Sequence, residues 1–158
     1  MEPKEKRYIF ESSSESYKKI CDIYFEVLAI LKRIVRVDTP YGALSVEIHE
    51  GQLAQFIVAG RIYQTSFVTD LVNKKMIGRI TLTMRPIGVA PDHSVLIAKI
   101  EYDSLGNIAS MFPKDAGDPD VGIADESNCE NIFTEIIAHN LTKSFEETVQ
   151  ESEIAGRV

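Results

Sequence analysis

The stretch Pro113–Asn128, PKDAGDPDVGIADESN, carries five carboxylates, Asp115, Asp118, Asp120, Asp125 and Glu126, within twelve residues. Carboxylates at that density can chelate a divalent cation, act as acid or base, or attract a basic partner. The calcium-loop pattern needs oxygen ligands at positions 1, 3 and 5, glycine at 6 and glutamate at 12. Counted from Asp118, position 3 is Asp120, but positions 5, 6 and 12 are Gly122, Ile123 and Cys129; counted from Asp115, positions 3 and 5 are Gly117 and Pro119. The pattern fails in both frames, and no metal site or cofactor is expected. The segment reads instead as a solvated loop leading into a helix, whose positive end favours Asp125 and Glu126. Asp115, Asp118, Asp120, Asp125 and Glu126 then form the candidate partner-binding surface.

Three histidines offer acid–base chemistry. His49 falls on the polar side of an alternating stretch, His93 follows Asp92 in a loop, and His139 stands four residues after Glu135. Side chains at that spacing share a helix face, which suits a dyad and equally an ordinary surface pair. Neither HExxH nor HxH occurs, nor do the glycine patterns of phosphate loops, nor a GxSxG elbow. Cys21 and Cys129, without CxxC spacing, read as small buried hydrophobes. No catalytic residue is therefore assigned. Asn140 is the unusual polar residue, because a helical projection places it among Cys129, Phe133, Ile136 and Ile137, where an amide needs partners. It either ties to nearby backbone or serves as the polar contact of an apolar ligand pocket. In that second reading Phe56, Val58, Tyr63, Met84, Ile97, Phe133, Ile137 and Asn140 line a cavity between sheet and final helix.

The elements that would position these residues follow from periodicity. KRYIFE, residues 6 to 11, reads as a short edge strand with Tyr8 and Phe10 on one face. Ser12 and Glu15 have capping-box spacing, and apolar residues from Ile20 to Val35 recur at three and four, predicting an amphipathic helix over about 14–36, ended before Pro40. Leu44, Val46 and Ile48 alternate with polar residues as in a half-buried strand, turned by Glu50-Gly51. LAQFIVAGRIYQTSF is a strand in which Gly60 suggests a bulge or bend rather than a strand end. Residues 66–75 fit either a helix or a strand closed by an Asn73-Lys74 turn. GRITLTMRP, residues 78 to 86, is a further strand, and SVLIAKIEY with GNIASMF makes a hairpin around 103–107. Ser127 and Glu130 repeat the capping spacing, predicting a last helix to about Thr148.

Helix, about five strands joined by short turns, then helix describes an α+β protein: an antiparallel curved sheet packed by an N-terminal and a long C-terminal helix, an order like a helix-grip arrangement. At 158 residues one domain is expected, with 1–11 and 150–158 as ragged ends. No run approaches the ~20 apolar residues of a membrane span, and the charged N-terminus lacks a secretory apolar region, so a cytoplasmic protein is expected. The net charge of -7 is uneven. Residues 1–100 hold 14 Lys and Arg against 11 Asp and Glu, a balance of +3; residues 101–158 hold 3 against 13, a balance of -10. The acidic third repels phosphate backbones and attracts basic surfaces, or neutralises the chain's own basic helix. The leading expectation is a non-enzymatic protein-binding module, such as a chaperone, inhibitor, immunity factor or adaptor, with a basic protein partner and no direct nucleic acid. A carrier or cavity enzyme is the alternative. A bare apolar sheet face would favour a homodimer.

Overall fold

The computed structural model describes residues 1–35, 47–49 and 53–156. Helix α1 (Pro3–Val35) is followed by strands β1 (Glu47–His49), β2 (Leu53–Val58), β3 (Arg61–Val72), β4 (Lys75–Pro86), β5 (Val95–Tyr102) and β6 (Ile108–Phe112), then helices α2 (Glu126–Leu141) and α3 (Phe145–Gly156). The strands form one antiparallel sheet in chain order, β1 to β6, so each strand pairs with the next in sequence. The architecture is α+β, as the pattern of elements implies. Among the described residues no helix is long and apolar enough to cross a membrane.

Alternation decides which face of the sheet is buried. Tyr63, Thr65 and Phe67 of β3 lie beside Ile80, Leu82 and Met84 of β4 and Ala98, Ile100 and Tyr102 of β5, all buried in register. The stripe Ile20, Tyr24, Val27, Leu28 and Leu31 of α1 closes over them, together with Cys129, Ile132, Phe133 and Ile136 of α2. Tyr102 fixes the helix to the sheet, its hydroxyl donating to the Ile20 carbonyl at 2.7 Å. Gly78 permits this approach: a Cβ there would lie 2.7 Å from both Ile20 Cγ2 and Tyr102 Cζ.

The opposite face is mixed, with Val68 and Val72 exposed among polar pairs. Gln55 donates to Gln64 at 2.9 Å, Ser66 bonds Thr81, and Arg79 pairs with Glu101 at 3.1 Å and Asp70 at 3.5 Å. Burial works to raise the Glu101 carboxyl, but hydrogen bonds from Ser110 and Arg79 outweigh it, and the group is held below its ordinary value.

Several expectations are corrected. Residues 6–11 are helix, not an edge strand: α1 starts at Pro3 and carries an Arg7–Glu11 pair at 3.0 Å one turn apart. Ser12 then sits mid-helix, its hydroxyl donating to the Ile9 carbonyl rather than capping. Gly60 ends a strand after all, because Ala59 and Gly60 have φ of 50° and 77°, the left-handed pair of a two-residue hairpin. Asn73 and Lys74, with φ of 52° and 66°, form the same kind of turn, and residues 66–72 are strand. The last helix is two, parted at residues 142–144. Ser144 restarts it, its hydroxyl accepting from the Glu147 amide at 3.1 Å. The expected strand over 44–46 and the turn at Glu50-Gly51 lie outside the described residues.

Candidate partner-binding surface

The acidic segment is built around Asn128, one turn into α2. Its side-chain oxygen accepts from the Asp118 amide at 3.1 Å, while its NH2 group donates to the carbonyls of Asp118 and Val121, each at 3.1 Å. One buried amide thus replaces the backbone ladder that a 13-residue connection lacks. Ile123, fully buried, pins the middle of the segment to the core. Asp118 also accepts from the Asp120 amide at 2.9 Å, an Asx turn.

The five carboxylates consequently differ in role. Asp125 caps α2, accepting from the Asn128 amide at 2.9 Å, which places the cap two residues before the expected Ser127. Glu126 meets Arg33 of α1 at 2.6 Å, so part of the acidic charge does neutralise the chain's own basic helix. Asp118 shapes the turn. Asp115 and Asp120 project into water with no side-chain bond among the described residues. No three His, Cys, Asp or Glu side chains among the described residues converge as a metal site would require.

The acidic surface extends well past this loop. Asp115, Asp118, Asp120, Asp125, Glu126, Glu130, Glu135, Glu146, Glu147, Glu151 and Glu153 are all exposed, along one segment and the outer sides of two helices. Lys143 answers Glu147 at 3.9 Å and Glu151 at 3.3 Å, and Arg33 answers Glu126. The remaining eight carry no ion pair among the described residues. Sequence reasoning singled out only the loop; the imbalance of -10 over residues 101–158 was the signal for the rest.

The eight residues assigned to a ligand pocket come together, but as core. Phe56, Tyr63, Met84, Ile97, Phe133 and Ile137 are buried in one cluster, with Val58 packed against it and the rings of Phe56 and Tyr63 stacked 5.3 Å apart. Asn140 is buried with them and fully engaged. The Tyr63 hydroxyl donates to its Oδ1 at 2.7 Å, Arg61 donates to the same oxygen at 3.0 Å, and its NH2 donates to Thr148 at 3.4 Å. Arg61 further donates to the main-chain carbonyls of Asn140 and Lys143, covering the negative end of α2. Two surface recesses lie elsewhere, one between α3 and the start of β5 and one between α1 and the β3–β4 hairpin.

Of the other reactive types, Cys129 is buried and burial pushes its thiol up to about 12, which leaves it a poor nucleophile. Both cysteines are free. Glu135 and His139 are exposed on α2, His93 is exposed in a turn after β4, and His49 lies in β1. The chain matches no family model, no curated protein and no solved structure.

Proposed function

We propose that the protein is a cytoplasmic protein-binding module whose acidic surface docks a basic partner. One observation carries the reading: all eleven carboxylates from Asp115 to Glu153 face solvent, and basic side chains answer only three of them among the described residues. Like charges held together cost stability through self-repulsion, a cost that a positively charged partner relieves. Such a surface steers encounter and gives association a strong salt dependence.

The fold also decides which substitutions test the reading. Asp125 and Asp118 hold the loop, so reversing them would alter folding as well as charge. Asp115, Asp120, Glu130 and Glu135 are exposed and hold nothing. The quadruple variant Asp115→Lys, Asp120→Lys, Glu130→Lys, Glu135→Lys should fold with a thermal midpoint at or above the parent's, since it relieves repulsion, yet lose proteins that the parent retains from lysate at about 50 mM salt and releases at about 500 mM. Retention that neither salt nor the four reversals changes would overturn the reading.

A further inference from the structure

The pairing of β6 with β5 covers Lys99–Tyr102, so the first half of β5, Val95–Ala98, runs past β6, and α3 packs there. A helix fills such a place less completely than a strand would, because it meets its neighbour through a stripe of side chains. Phe145 packs against the core and Thr148 is buried, while Val149 and Ser152 are only half-buried. The space left over is an open recess of about 560 Å³. Val89, Val95, Leu96, Phe145 and Val149 give it mostly apolar walls, with Ser152 among the polar ones. A recess of that size holds one small ligand or one or two side chains.

Its border is acidic. On a helix the residues three before and four after Val149 stand beside it, and these are Glu146 and Glu153. Both are exposed, and neither carries an ion pair among the described residues. Lys143 does not offset them, since it is turned to Glu147 and Glu151 on the other side of α3. At the opposite wall Asp92, also exposed, precedes His93 in the turn before β5. Arg85, held on the Val89 carbonyl at 3.0 Å, sets one positive charge against these three carboxylates. Apolar walls bordered by unanswered carboxylates disfavour an acidic occupant and suit an apolar group carried between cations.

We propose that this recess takes a large apolar side chain, leucine or an aromatic, from a segment of the basic partner in which lysine or arginine flanks it. The inference rests on the basic-partner reading and adds selectivity to it. Charge steers any cationic chain to the acidic surface. What holds one in place is a side chain desolvated in a pocket, and the α3–β5 recess is where this surface offers one.

Fluorescence anisotropy on the full chain, with two labelled peptides of equal charge, KKKLFKKK and KKKAAKKK, tests it at about 50 mM salt. The leucine-phenylalanine peptide should bind about 10-fold or more tighter, the gain expected when one large apolar side chain leaves water. Ser152→Phe, which fills the recess without changing charge, should abolish that preference and leave the alanine peptide's affinity as it was. Leu96→Asn, at an exposed position of the wall, should reduce the preference too, and thermal midpoints check that both variants fold. Glu146→Gln with Glu153→Gln should weaken both peptides alike. Equal affinity for the two peptides overturns the inference and leaves the basic-partner reading standing, as does a preference that survives both Ser152→Phe and Leu96→Asn. Binding of neither peptide overturns the basic-partner reading, and this inference with it.

Discussion

The buried polar residues of this protein are tied down by geometry, and its buried ionisable ones respond to pH in one direction. Tyr63 is pushed up to about 12, chiefly by burial, and burial likewise raises Tyr24, Tyr102 and Cys129. The folded chain therefore keeps these protons at a pH where the unfolded chain, with tyrosines near 10 and cysteines near 9, releases them. Stability from this source is fully present below about pH 9 and falls as pH rises toward 12. In urea titrations the midpoint should drop progressively over that window. Tyr63→Phe should flatten the drop, because the variant removes one of the groups while Arg61 still donates to Asn140 Oδ1. Equal slopes for parent and variant would show that Tyr63 is not held protonated by the fold. Asn140 itself was legible as a buried amide needing partners. Its partners were not, because Arg61 and Tyr63 lie 79 and 77 residues away and no local pattern links them.

At the scale of elements, the contact between α1 and the sheet depends on one missing side chain. Gly78→Ala would drive a methyl group against Ile20 and the Tyr102 ring and strain the hydroxyl bond that anchors the helix. A loss of about 1–3 kcal/mol is expected from equilibrium unfolding, as for other overpacked cores, and an unchanged midpoint would mean that the helix shifts freely. Elements with a long, clean period were readable from sequence alone: the apolar stripe from Ile20 onward, the strands around Tyr63 and Ile80, and the β5–β6 hairpin. The errors fall where a short pattern competes with a longer context. Tyr8 and Phe10 alternate over only three residues, too few to outweigh a helix already running from Pro3. Conversely, Ser144 and Glu147 have the capping spacing that restarts α3, a signal present in the sequence and overridden by the apparent continuity of the helix before it. The acidic loop was located correctly but not its construction, since Asn128 was unremarkable as one residue of a helical turn.

For the whole molecule, the uneven charge has a consequence separate from any partner. Eleven exposed carboxylates, Asp115 to Glu153, stand along one segment and the two helices that follow it. The exposed pairs Arg33–Glu126, Lys143–Glu147 and Lys143–Glu151 offset this weakly, since such pairs are worth at most about 1 kcal/mol each and are themselves screened by salt. On the proposed reading, repulsion among the eight unanswered carboxylates outweighs them, and it falls away as the Debye length shrinks from about 30 Å at 0.01 M to about 8 Å at 0.15 M. The thermal midpoint should therefore rise with sodium chloride over that range. It should rise less in the quadruple lysine variant, where four of the eleven carboxylates have become cations. A midpoint that falls with salt would mean that attraction, not repulsion, dominates this surface, and the case for a relieving basic partner would lose its physical ground.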